Sequence, residues 1–170
     1  RQLGISTLSA GYSLWLMNFH SDKNILVIAT KQEVAKNLVT KVRVMHKELP
    51  NWLKQGCAED NKLSLRYNNG SQIKAISSTG EAGRSEALSL LIIDEASQMR
   101  TEDAIGGLAR SKQCVIVGDP EQLAPTSFFD VADQDEDEDD ELTEESVLDL
   151  ALSRFKPKRM LRWHYRSRNE

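Results

Sequence analysis

Cysteine is scarce in this chain: Cys57 and Cys114 are the only two among 170 residues. They form neither a metal-type spacing nor a disulfide framework, so a reducing, cytoplasmic setting is the expectation. Long apolar runs are also missing. Nothing approaches the roughly 20 residues of a membrane-spanning helix, and no secretory signal is readable. The net charge of −4 shows no basic balance either. Yet ten of the 26 acids fall between Asp133 and Glu145, leaving 16 acids against 22 Lys and Arg, six positive charges in excess. Such a body suits a phosphate-bearing partner, although solvated surface charge is the plainer reading of any single lysine. What remains, 39% apolar and 28% charged residues, is enough for one globular domain with a sizeable core.

The most informative stretch is Leu90-Leu91-Ile92-Ile93-Asp94-Glu95-Ala96-Ser97-Gln98. Its four apolar residues are too few for a helix and read as a strand buried on both faces, as in a parallel sheet. The strand delivers adjacent carboxylates to its C-terminal end, where open α/β sheets bind ligands. One acid at that spacing suits a Mg²⁺ shell and the next suits polarising a water. The same pattern is also compatible with a plain strand followed by an acidic helix start.

Around it, strands and helices alternate. At the N-terminus Gly4-Ile5-Ser6-Thr7 precedes apolar residues at helical spacing, so a loop enters a helix whose free N–H groups form an anion site. Ser6 has the place of a Mg²⁺-ligating P-loop hydroxyl. The lysine expected just before it is replaced by Ile5, so a cation for phosphate falls to Arg1. Asn24–Thr30 reads as a buried strand and Lys31–Leu49 as an amphipathic helix ended by Pro50. Asn68-Asn69-Gly70 between two β-type segments marks a hairpin. Glu102–Arg110 reads as a short helix and Gln113–Val117 as another buried strand. That strand runs into a Pro- and Gly-fixed loop carrying Gln122, which can donate to phosphate or orient a water. Residues 131–145 read as an acidic, disordered insertion. Ser146–Phe155 resumes a helix, and Met160–Arg168 reads as a strand feeding a basic, aromatic tip. His20, His46 and His164 read as surface or packing residues, and Trp15 and Trp52 as core or helix-cover residues. Trp163 and Tyr165 could stack on a base, with strand packing the plainer role. The fold class expected is α/β, largely parallel, with one hairpin inserted.

Two family resemblances attach to these residues. RQLGIST, NILVIATKQEVAKNLVTKVR and NNGSQIKAISSTGEAGRSEALSLLIIDEA, within residues 1–97, resemble the ATPase domain of the large terminase subunit of tailed phages. LLIIDEASQMRTEDAIGGLARSKQCVIVGDPEQLAPTSFF, ESVLDLALSRF and LRWHYRSRNE, from about residue 89 to 170, resemble a superfamily 1 helicase. The second set holds a Walker B, a GDxxQLxPT and a YRS motif in the family's order. Both families build a RecA-like P-loop NTPase, so the chain reads as a single, partial RecA-like domain. Its terminase-like part is 1–97 and its helicase-like part 98–170, joined as a chimera or as a fragment across a fusion or assembly join.

The resemblance implies ATP and Mg²⁺ as cofactors. It implies Arg1, Gly4, Ser6 and Thr7 around phosphate and metal, with Arg84 as a sensor. Asp94 would be a Mg²⁺ ligand and Glu95 the catalytic carboxylate. Gln122 would sense the γ-phosphate and Arg166 would act as an arginine finger. The partner implied is DNA, with RNA as the alternative. A terminase would add portal, capsid and small terminase subunit, and a host-cytoplasm location. A helicase-type motor is the leading expectation, ahead of a DNA-packaging ATPase and of a non-catalytic remnant that only binds nucleic acid or a partner.

Overall fold

In the computed structural model, residues 4–77, 87–122, 125, 146–156 and 159 are described. They form helix α1 (Ile5–Phe19), strand β1 (Asn24–Ala29) and helix α2 (Gln32–Glu48). Strands β2 (Cys57–Asp60), β3 (Ser64–Tyr67), β4 (Gln72–Ser77) and β5 (Leu90–Asp94) follow, then helix α3 (Thr101–Leu108), strand β6 (Cys114–Ile116) and helix α4 (Val147–Arg154). The sheet order is β2-β3-β4-β1-β5-β6. β1 runs parallel to both β4 and β5, and β5 parallel to β6, while β3 is antiparallel to β4 and β2 antiparallel to β3.

The reason for this arrangement lies in the two central strands. Every residue of β1 after Asn24 is buried, and so are Leu90–Ile93 of β5. Strands apolar on both faces need cover on both sides, and two separate apolar clusters supply it. Ile25, Val27, Leu90 and Ile92 pack with Ala10, Leu14 and Met17 of α1 and Leu38, Val39 and Val42 of α2. The alternate residues Leu26, Ile28, Leu91 and Ile93 pack on the opposite face with Met99, Ala104, Val147 and Leu148. Each large aliphatic side chain removed from water this way contributes about 1.5–3 kcal/mol before conformational entropy is charged against it.

The hairpin forms where the Asn-Asn-Gly turn requires it. Gly70 takes a left-handed φ of 82°, and its N–H donates to the Tyr67 carbonyl at 3.1 Å. A Cβ at Gly70 would also collide with the Asp22 carboxylate. The mostly parallel α/β sheet flanked by helices, with a hairpin inserted, is thus as expected.

Three expectations need correction. Gln113–Val117 was read as a buried strand, but β6 covers only Cys114–Ile116 and all three residues are part-exposed. It pairs with β5 on one side and, among the described residues, with no strand on the other. β2 was not foreseen: its Cys57-Ala58-Glu59-Asp60 sequence is wholly exposed and is held by pairing to β3. Trp52 is not a core residue, being 83% exposed in the turn after Pro50, and Trp15 is 46% exposed, stacked on Tyr12. The acidic insertion 131–145 and the basic, aromatic Met160–Arg168 lie outside the described residues. No helix among the described residues is long and apolar enough to cross a membrane.

Candidate active site

The C-terminal end of β5 and the N-terminal end of α1 meet. α1 starts at Gly4, whose φ of 75° is left-handed, and no side chain caps the helix. Its first turn holds no acid, so its uncapped N–H groups retain the positive end of the helix dipole. Ser6 lies in that turn, and its hydroxyl donates to Asp94 Oδ2 at 3.3 Å from 88 residues away. Thr7, next in the turn, is exposed.

Asp94 is held from a second side, because the Glu95 N–H donates to its Oδ1 at 3.1 Å. Burial pushes the Asp94 carboxyl above the ordinary carboxylate range. The Glu95 N–H and the Ser6 hydroxyl pull it back, the Glu95 charge adds to the rise, and Lys41 opposes it. A part-buried, partly unneutralised carboxylate beside a hydroxyl is a donor set that a hard cation improves. The two oxygens fit Mg²⁺: their 3.3 Å separation is near the roughly 2.9 Å between adjacent ligands of an octahedral ion with 2.0–2.1 Å bonds. Among the described residues no three His, Cys, Asp or Glu gather into a metal-holding group.

Glu95 leaves the strand with φ 60° and ψ 40°, a left-handed backbone unusual for a residue with a side chain. The turn lets Ala96 N–H donate to the Val117 carbonyl at 2.9 Å, stitching the loop after β5 to the loop after β6. The Glu95 carboxylate accepts a hydrogen bond from Thr30 Oγ1 at 3.2 Å. Thr30 was not singled out from the sequence. The signal was there, since the residue after a buried strand parallel to β5 falls beside the residue after Asp94.

Gln122 comes to the same end by way of Gly118. A Cβ on Gly118 would sit 3.0 Å from both the Ser97 nitrogen and Leu148 Cδ2, so only glycine lets the two loops lie so close. Ser97 Oγ then donates to Gln122 Oε1 at 3.4 Å. The structure therefore gathers Gly4, Ser6, Thr7, Asp94 and Glu95 at one end of the sheet, with Gln122 beside the turn that follows. Arg1, Arg84 and Arg166 lie outside the described residues.

A mostly parallel sheet flanked by helices, with a helix N-terminus set against a strand ending in two acids, is the α/β arrangement expected of a RecA-like fold. Comparison with known proteins agrees. An AAA-domain family model matches residues 70–129. An uncharacterized ATP-dependent helicase of Mycoplasma pneumoniae is 39% identical over 85 residues, 45% of this chain. The corresponding Mycoplasma genitalium helicase is similar to the same degree. The chain spans 8% of the length of these relatives. Among solved structures, the HK97 bacteriophage large terminase superposes with a TM-score of 0.57 at 20% identity, covering 69% of this chain and 27% of that one. The Thermus phage P74-26 large terminase ATPase domain gives 0.54 at 18% identity, over 72% of this chain and 58% of that one. The chain is thus similar in part of its sequence to ATP-dependent helicases and in fold to terminase ATPase domains.

Proposed function

We propose that this chain is the ATP-hydrolysing core of a helicase-type nucleic-acid motor working in the cytoplasm. The observation that carries the reading is the Ser6–Asp94 contact, which sets an uncapped helix N-terminus against two adjacent carboxylates. An anion received by the N–H groups at the start of α1 would lie against these acids, and a triphosphate with its metal is the ligand whose charges suit both.

In this reading Gly4 and Thr7 frame the phosphates at the start of α1, Ser6 and Asp94 hold Mg²⁺, and Glu95 orients and deprotonates the attacking water. Mg²⁺ held by Ser6 and Asp94 would supply positive charge to the phosphates. Gln122, tied to Ser97 in the turn after Glu95, senses the γ-phosphate. Arg1 and Arg166 supply positive charge to the transition state, and Arg84 acts as a sensor. The nucleic acid is DNA, with RNA as the alternative. The helicase job is preferred because the sequence likeness is to helicases, while the terminase likeness supports the fold. A packaging ATPase would further require portal, capsid and small-subunit partners.

The test is equilibrium binding of fluorescent ATP with and without Mg²⁺, followed by turnover with single-stranded DNA or RNA added. Mg²⁺-dependent binding and turnover stimulated by one of the strands are expected. Absence of ATP binding would favour a non-catalytic remnant that only binds nucleic acid or a partner.

A further inference from the structure

We infer that Thr30 is the positioning residue of the Glu95 carboxylate, fixing its direction for the water it activates; the inference rests on the ATPase reading above. β1 and β5 run parallel with Ala29 opposite Asp94, so the next residue of each strand, Thr30 and Glu95, fall side by side. Thr30 Oγ1 donates to Glu95 Oε2 at 3.2 Å. The neighbouring acid has separate holders, the Ser6 hydroxyl and the Glu95 N–H. Two adjacent carboxylates are thereby fixed by hydroxyls from two different elements, one at the start of α1 and one at the end of β1.

The backbone makes that second contact consequential. Glu95 sits in the left-handed region at φ 60°, a conformation that costs on the order of 1–3 kcal/mol for a residue with a side chain. A flexible glutamate leaving a strained turn has several rotamers open to it, and one hydroxyl donor selects among them. The contact is not a block on catalysis. A carboxylate has about four lone-pair sites, so accepting from Thr30 leaves capacity to accept from a water. Proton abstraction needs hydrogen-bond reach and correct orientation together, and a misplacement of about 1 Å can lower the rate on the order of 100-fold.

The experiment compares Thr30→Val, which keeps the shape and removes the donor, with Thr30→Ser, which keeps the donor. Steady-state hydrolysis of MgATP by the full chain is read as kcat and KM separately. For Thr30→Val a drop in kcat of about 10- to 100-fold is expected, with KM changed by less than about threefold; Thr30→Ser is expected to return kcat to within about threefold of wild type. Wild-type turnover with an undiminished or faster Thr30→Val overturns the Thr30 inference alone. Equal losses in Val and Ser variants also overturn it, because the hydroxyl would not be what matters. No turnover in wild type overturns the ATPase reading and the inference together. Should Thr30→Val fail to fold, Thr30→Ala against Thr30→Ser makes the same comparison.

Discussion

Ser6 donates its hydroxyl proton to Asp94 Oδ2 at 3.3 Å, joining the first turn of α1 to the last residue of β5. This contact closes the end of the sheet on which the functional reading rests, and it offsets part of what burying Asp94 costs the fold. Asp94 is partly buried, and burial holds its carboxyl above the usual range. In the interval between the ordinary carboxylate value and that raised one, the folded state binds more protons than the unfolded. Stability from this group is therefore greatest at acid pH and is lost as pH rises through the folded value.

Asp94→Asn removes that dependence. The variant is expected to melt above wild type at pH 7 without ligand, with the gap closing as pH is lowered toward the ordinary Asp value near 3.8. MgATP should raise the melting temperature of wild type and not of the variant. Melting curves across pH with and without MgATP check both parts; a variant less stable than wild type at pH 7 would contradict the burial argument.

Tyr67 supplies a test away from the site. It is 1% exposed, its ring packs on His46 at 4.7 Å, and its hydroxyl finds no hydrogen-bond partner among the described residues. Tyr67→Phe is expected to leave stability unchanged or raise it by about 1–2 kcal/mol, since the unsatisfied hydroxyl carries a desolvation cost. Burial also pushes its ionisation well above 10.0, so the unfolded chain loses the proton first. Wild type should then lose stability relative to the variant as pH rises past about 10. Denaturant titrations at pH 7 and in the alkaline range measure both.

Gly118→Ala tests the close approach of the two loops. The added Cβ meets the Ser97 backbone nitrogen and Leu148 at 3.0 Å, and backbone gives way poorly. A loss of about 1–3 kcal/mol is expected. The Ser97–Gln122 contact should loosen with it, which a stability measurement paired with MgATP turnover would register as a fall in both.

The fold was largely legible because its central strands carry nine aliphatic positions bounded by clear turn signals, and Asn-Asn-Gly marked the hairpin. The helix read over Ser146–Phe155 is α4, which Ser146 starts by closing a capping box with Asp149. What escaped has a common cause, namely dependence on neighbours. β2 has no apolar alternation and exists through pairing with β3 and an ion pair from Arg43 to Asp60. β6 has a buried-strand sequence, yet its exposure is set by lying at the edge of the described sheet. Trp52 reads as a core or helix-cover residue, but the turn after Pro50 leaves it outward. At the site, the paired acids and the four residues Gly4–Thr7 stand out as short-range patterns. Thr30 does not, because its relation to Glu95 is a register between strands separated by 65 positions.

The measurement bearing most directly on the central claim is Mg²⁺-dependent ATP hydrolysis by wild type and by Glu95→Gln. The substitution keeps the size and one hydrogen-bond acceptor and removes the base. Wild type is expected to turn over ATP only with Mg²⁺, and Glu95→Gln to lose about 100-fold or more in kcat while still binding the nucleotide. Equal turnover by the two proteins would contradict the role assigned to Glu95 at the end of β5.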